Sequence, residues 1–311
     1  MEKIIIIVGP TGVGKTSLSI ELAKRFQSEI ISGDSMQVYK EMTIGTAKVT
    51  PEEAQGIPHH MVDTFSYRDD FNVKVFQQEA RKIINQMNEE GKLPIICGGT
   101  GLYIKSLYYD YEFNEEVEDL EFKEFLKTRS IDECWCMLKL VDPKACETIH
   151  PNNTKRVRRA LMRAHLGKTK SEVEETQNHQ PIYDAYVIGL TAPRETVYER
   201  INLRVDIMMN LGLEEEVKNL IHDESDWTLQ SLQGIGYKEW KDYFQGNSTL
   251  EETSELIKKN SRNFAKRQYT WFNNQMNVHW YDITEENFKE NLFSDLDEWL
   301  EKEVHFVNLV L

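Results

Sequence analysis

Cysteine is scarce in this sequence: four in 311 residues, at Cys97, Cys134, Cys136 and Cys146. No two form a Cys-x-x-Cys knuckle, so neither a zinc site nor a disulfide framework is expected, and buried or idle thiols in a reducing cytosol fit best. Long apolar runs are lacking too. The longest, Ile4–Val8, falls far short of the ~18 residues a membrane span needs, and it ends in Gly-Pro with no signal-peptide anatomy around it. A cytoplasmic protein with no membrane partner is expected. Basic charge is in deficit: 37 Lys and Arg stand against 52 Asp and Glu, a net −15. Taken as one number, that argues against a polyanionic partner. Internal repeats and low-complexity segments are absent. The length suits one large or two modest domains, with ample chain for a core.

The charge is unevenly placed. Thr154–Lys170 holds Lys155, Arg156, Arg158, Arg159, Arg163, Lys168 and Lys170 and no acid. Lys258–Phe272 holds Lys258, Lys259, Arg262, Lys266 and Arg267 and no acid. Removing these two stretches leaves −27 on the rest of the chain. An acidic body with two basic stripes would steer a polyanion to one face.

Short β-branched runs ending in small residues predict strands at Lys3–Val8, Glu29–Ser32, Pro94–Cys97, Tyr186–Leu190 and Val278–Tyr281. Helical stretches lie between them at Lys15–Phe26, Val73–Glu90 and Glu195–Ile221. This alternation predicts a parallel sheet covered on both faces. Asn114–Gln180 breaks the rhythm with charged, helix-period sequence and no convincing strand. The expected fold is therefore α/β, a parallel-sheet core (residues 1–113 and 183–311), P-loop NTPase-like by the G-x-x-x-x-G-K-[ST] pattern at Gly9–Thr16, with a helical insertion domain (114–182). Gly167–Pro181 is the best linker candidate.

Gly9-Pro10-Thr11-Gly12-Val13-Gly14-Lys15-Thr16 fits G-x-x-x-x-G-K-[ST] in full, between a buried strand and a helix. Its glycines turn backbone amides toward an anion, and the helix N-terminus adds its dipole. Lys15 would reach the outer phosphates and Thr16 would bind Mg²⁺. The motif is shared by nucleotide-binding and ATP-binding proteins. By itself it specifies a pyrophosphate held with Mg²⁺, neither ATP nor phosphoryl transfer. The neighbouring strand ends in Cys97, where a Walker-B aspartate would stand, so machinery for orienting a hydrolytic water is missing.

Asp34 follows a strand directly, in Ser32-Gly33-Asp34-Ser35-Met36-Gln37. Ligands of open α/β sheets bind at the carboxyl ends of strands, so Asp34 should face the same crevice as the loop. A carboxylate there suits a general base or a metal-shell ligand, and equally a turn or helix cap. Thr100, in Gly98-Gly99-Thr100-Gly101, ends the third strand at the same edge, as a substrate contact or a cap. Arg200 and Arg204 share a helix face and suit either a phosphate clamp or surface ion pairing. His59, His60 and Asp63 are read as hydrogen-bonding groups over a metal site, because adjacent histidines point to different sides. Lys155, Arg158, Arg159 and Arg163 form one face of a helix whose other face is Val157, Ala160, Leu161 and Ala164. Lys258, Arg262 and Lys266 recur every four residues, followed by Tyr269, Trp271 and Phe272. Both stripes are read as a phosphate-backbone footprint.

This set of motifs resembles the tRNA dimethylallyltransferases, also called tRNA isopentenyltransferases. The matching pieces are Gly9–Thr16, Asp34–Tyr39, Ile44–Lys48, Gly56–His60 and Gly98–Tyr103. They continue through His150–Asn153, Lys155–Ala160, Arg204, Gly212-Leu213, Glu216-Val217, Gly234–Tyr237, Ala265–Gln268 and Trp271. Asn273 departs from the pattern, where the family often has an arginine that contacts phosphate. The resemblance implies transfer of a dimethylallyl group from dimethylallyl diphosphate to the exocyclic amine of the adenosine 3′ of a tRNA anticodon. The bound pyrophosphate is then a leaving group, and no water needs activating. It implies a diphosphate site of Gly9, Pro10, Thr11, Gly12, Val13, Gly14, Lys15, Thr16, Arg200 and Arg204, with Mg²⁺ on Thr16. Asp34 would take the proton and Thr100 would help hold the base. It implies contacts to the tRNA anticodon stem-loop from Asp34, Ser35, Met36, Gln37, Thr100, Lys155, Arg156, Val157, Arg158, Arg159 and Arg163. Gly234, Gly236, Tyr237, Lys266, Arg267, Gln268 and Trp271 complete that set. A monomer is the default expectation.

The residues alone leave two other readings open. A small-molecule kinase would use the same loop with Asp34 as base, but leaves both basic stripes idle. A nucleotide-switched RNA-binding protein would use the stripes, but gives Asp34 and Thr100 no work.

Overall fold

Four consecutive isoleucines, Ile4–Ile7, have no solvent exposure. A β-branched run buried on both faces needs cover on both sides, which a parallel sheet between helices provides. In the computed structural model this run is strand β1 (Lys3–Val8) of a six-stranded sheet. The others are β2 (Ile30–Ser32), β3 (His59–His60), β4 (Ile95–Cys97), β5 (Asp184–Thr191) and β6 (His279–Asp282). Their order is β3-β2-β4-β1-β5-β6, and every pairing is parallel. The structure describes residues 1–111, 113, 119–176 and 179–307. Because the strands run the same way, the segments that follow β1, β2 and β4 leave from one edge of the sheet. All three begin with glycine: Gly9, Gly33 and Gly98.

The chain forms two compact units, Met1–Tyr108 with Ile182–Leu311, and Tyr109–Pro181. The first contains the sheet. Its helices include Lys15–Arg25, Val73–Glu89, Arg194–Asn210 and Leu250–Gln275. The last begins at a capping box in which Thr249 and Glu252 satisfy each other's amides. The continuous helix expected over Glu195–Ile221 is two helices. Gly212 takes φ 96° and caps a second helix, Leu213–Leu220. The left-handed conformation ends the first helix and redirects the chain. Strand β3 was not expected, because His59-His60 carries no apolar run.

Among its described residues, the second unit is built from helices, with one antiparallel bridge between Tyr109 and Pro181. The helices are Leu120–Thr128, Ile131–Val141, Ala145–Thr148, Thr154–His165 and Lys170–Thr176. Leu126, Cys134, Leu138, Ile149, Val157 and Leu161 make its core. The expected start of the insertion, Asn114, lies outside the described residues. Gly167–Pro181 is not a plain linker, since Lys170–Thr176 within it is helical. Thr169 and Glu172 cap that helix reciprocally, and Ser171 donates to Asp142, just past the end of helix Ile131–Val141.

Candidate active site

Beyond Val8 the chain turns through Gly9, Gly12 and Gly14, at φ 139°, 89° and 87°. Glycine takes these values without strain. A Cβ at Gly9 would also lie 2.4 Å from the Leu190 carbonyl oxygen. The turn feeds directly into helix Lys15–Arg25. Among the described residues, no side chain caps that helix, so its first amides stay open to an anion. Lys15 Nζ donates to the carbonyls of Gly9 (3.0 Å) and Pro10 (2.8 Å). Burial pushes its ammonium down to about 8, with Arg204 adding to the push and Cys97 and Asp34 opposing it.

Asp34 stands at the same edge, two residues beyond β2. Its Oδ1 accepts from the amides of Met36 (2.8 Å) and Gln37 (3.3 Å). Burial pushes its carboxyl above the ordinary aspartate value, against those two amides and Lys15. Its Oδ2 makes no hydrogen bond among the described residues, and neither does the Thr16 hydroxyl. Thr100 Oγ1 accepts from the Ser35 amide at 3.1 Å, which fixes the Asp34 turn to the loop after β4. The two loops touch so closely that a Cβ on Gly98 would lie 2.3 Å from the Gly33 backbone. Lys15, Thr16, Asp34 and Thr100 thus line one cleft, of about 830 Å³, together with Arg204 and Gln268.

Helix Arg194–Asn210 presents both arginines to the phosphate loop. Arg204 donates to Thr11 Oγ1 (3.1 Å) and Arg200 to the Gly12 carbonyl (3.4 Å). The strand beside the loop ends in Cys97, opposite Ile7. Its thiol is pushed up by burial, and it offers no acid for a nucleotide-bound metal. The paired histidines make hydrogen bonds. His59 Nδ1 meets the Ile57 carbonyl at 2.8 Å, and His60 Nε2 meets Glu29 at 2.6 Å.

The residues expected to touch RNA differ in exposure. Tyr237 is fully buried and donates to Glu216 Oε1 at 2.7 Å. Gln37 donates to the Thr46 carbonyl and accepts from Ser32. Gln268 is 6% exposed, with both ends of its amide engaged inside the protein. Gly234 packs on Met36, and a Cβ there would lie 2.4 Å from Met36 Cε. Lys266 and Arg267 are exposed, Ser35 and Met36 half-buried, and Trp271 half-buried against Gly101. Lys258, from the second stripe, is neutralised by Asp206 (2.7 Å) and Glu255 (2.9 Å).

In the Tyr109–Pro181 unit, Lys155, Arg156 and Arg159 are exposed on one helix. Arg163 is half-buried. Val157 is fully buried in that unit's core, because it lies on the helix's apolar face, so it is not an RNA contact. Arg158 donates to the Arg129 carbonyl at 3.2 Å.

Two carboxylates given no role by the sequence shape the cleft wall. Glu216 accepts from the amides of Thr43 (3.0 Å), Ile44 (2.7 Å) and Gly45 (3.0 Å), besides Tyr237. Glu239 accepts from the Gly236 amide (2.9 Å) and from Asn260 (2.7 Å). The only sequence signal for Glu216 was its place after Gly212-Leu213.

A parallel sheet with a phosphate loop after its central strand, and a carboxylate at the same edge, defines an α/β protein with a P-loop NTPase-like core. Residues 37–275 match the family model described as IPP transferase. A tRNA dimethylallyltransferase from Anoxybacillus flavithermus is 48% identical over 98% of both chains. One from Bacillus cereus is 50% identical over 91% of both. Among solved structures, the tRNA isopentenylpyrophosphate transferase of Bacillus halodurans is 41% identical. It superposes with a TM-score of 0.75 over 99% of this chain and 100% of that one. A eukaryotic dimethylallyltransferase acting on tRNA, 28% identical, gives 0.84 over 97% of this chain and 80% of that one. The chain belongs to the IPP transferase family.

Proposed function

We propose that this protein transfers a dimethylallyl group from dimethylallyl diphosphate to the exocyclic amine of the adenosine 3′ of a tRNA anticodon, releasing diphosphate. The observation that carries the reading is one cleft holding Lys15, Asp34 and Thr100, with Cys97 where an ATPase needs an acid. The relatives named above support both the prenyl donor and the tRNA acceptor.

The loop amides and Lys15 stabilise the negative charge that builds on the departing diphosphate. Arg204, in the cleft lining, and Arg200 brace that loop through Thr11 and Gly12. Thr16 fits a Mg²⁺ ligand, because it lines the cleft and its hydroxyl has no partner among the described residues, and diphosphate oxygens and water would complete the shell. When bound, the ion would neutralise leaving-group charge. As the amine nitrogen bonds to the allylic carbon, the carbon–oxygen bond to diphosphate breaks. The nitrogen's proton passes to Asp34, whose Oδ2 is unengaged and whose burial makes it a stronger base than an exposed aspartate. An adenine stacked in the anticodon loop cannot reach this depth, so it is flipped out, with Thr100 against it. Lys155, Arg156 and Arg159, and separately Lys266 and Arg267, supply backbone contacts.

The test is incubation of unmodified tRNA with either dimethylallyl diphosphate or ATP, followed by weighing the tRNA. A gain of one five-carbon unit that depends on the diphosphate is expected. Phosphate transfer from ATP, or binding without chemistry, would overturn the assignment.

A further inference from the structure

The long helix Leu250–Gln275 reaches into the cleft at Gln268. Its side-chain amide spans two loops that are far apart in sequence. Oε1 accepts from the Thr11 amide of the phosphate loop at 3.2 Å, and Nε2 donates to the Gly99 carbonyl at 3.0 Å. A carboxamide offers an acceptor and a donor on one planar group without needing to take up or lose a proton. The contact is built for: a Cβ on Gly99 would lie 2.2 Å from Nε2. One turn further on, Trp271 packs on Gly101, where a Cβ would lie 2.3 Å from the ring. The helix therefore holds the residues on both sides of Thr100, and through Gln268 it also holds the loop that carries the diphosphate. Ala265 anchors the same turn in the core, while Lys266 and Arg267 face solvent.

We infer that Gln268 is a positioning residue. It sets the phosphate loop against the Thr100 loop, so that donor and acceptor meet at reacting distance. This inference rests on the transferase reading. It departs from an RNA-contact role for Gln268, because both ends of the amide are already engaged inside the protein. Misplacement of about 1 Å between reacting groups can cost ~10²-fold in rate. The bridge lies where such a shift would arise.

Two variants separate its two bonds. Gln268→Met removes both. Gln268→Glu keeps an acceptor for Thr11 and, when ionised, has no donor for Gly99, so its activity is read at a pH well above the carboxylate range. The expected result for Gln268→Met is a kcat lower by about 10²-fold, with the KM for tRNA within about twofold and a weaker affinity for inorganic pyrophosphate. For Gln268→Glu, kcat falls while the KM for tRNA again holds. The double variant with Thr100→Ala should lose less than the product of the single losses, since both act on one placement. A normal kcat with a raised KM for tRNA would make Gln268 an RNA contact and overturn the proposal. Strictly multiplicative losses with Thr100→Ala would overturn it as well. Pyrophosphate affinity is measured by calorimetry without tRNA. Should the unaltered protein fail to prenylate tRNA, the transferase reading fails. Calorimetry then still decides whether Gln268 orders the phosphate loop: unchanged pyrophosphate affinity in Gln268→Met would show that it does not.

Discussion

Asp34 sits where two demands conflict. Burial raises its carboxyl above the ordinary aspartate value, which strengthens it as a base but makes its ionised form costly. A folded-state value above the unfolded one stabilises the fold at low pH, and that stability is lost as pH rises through the raised value. Asp34→Asn should therefore raise the thermal midpoint at neutral pH while removing the base. Asp34→Ala should lower turnover by roughly 10²–10⁴-fold with tRNA binding near normal. Single-turnover rates and a tRNA-binding titration check both halves. Lys15 gives the opposite case. Its ammonium is pushed down to about 8, so the charge a diphosphate needs is held at neutral pH and lost as pH rises through that value. Affinity for pyrophosphate should fall as pH rises through that value. Below it, Lys15 is already charged; slightly above it, binding should draw a proton from buffer, which calorimetry in two buffers detects.

These residues were legible because each lies in a contiguous motif at the end of a strand. Glu216, Glu239 and the bridge that Gln268 makes between two loops were not. Glu216 meets Gly45 across 171 positions, and Gln268 meets Gly99 across 169. Nothing local in a run such as Glu214-Glu215-Glu216 tells which acid turns inward.

At the level of elements, the strands were readable wherever isoleucine and valine run together. β3 was missed because two histidines at a sheet edge carry no such pattern. The break at Gly212 was hidden inside helix-period sequence, although the glycine itself was in view. That break has a consequence for the cleft. It starts the helix that holds Glu216, and Glu216 holds the Thr43–Gly45 turn by three amides. Glu216→Ala would leave those donors and the buried Tyr237 hydroxyl unpaired. It should cost about 2–3 kcal/mol, the scale for losing hydrogen bonds to a charged group. Thermal or urea unfolding checks it. Gly45→Ala should also destabilise, because its Cβ would lie 2.5 Å from the Tyr237 ring.

For the whole molecule, the net charge of −15 hid its own distribution. The stripe on the helical unit keeps Lys155, Arg156 and Arg159 exposed, whereas Lys258 of the other stripe is spent on Asp206 and Glu255. Exposure therefore sharpens the choice of residues. Changing Lys155, Arg156 and Arg159 together to alanine should weaken tRNA binding and lower the slope of log affinity against log salt by about 2–3. An unchanged slope would return that helix to plain surface.

The central claim is that the cleft at the carboxyl edge of the sheet joins a diphosphate donor to one tRNA base. Nuclease mapping by mass spectrometry, on tRNA treated with the protein and dimethylallyl diphosphate, tests it most directly. One five-carbon gain is expected, confined to the anticodon-loop fragment that contains the adenosine 3′ of the anticodon, and lost with Lys15→Ala. A gain on another fragment, none at all, or full transfer by Lys15→Ala would contradict it.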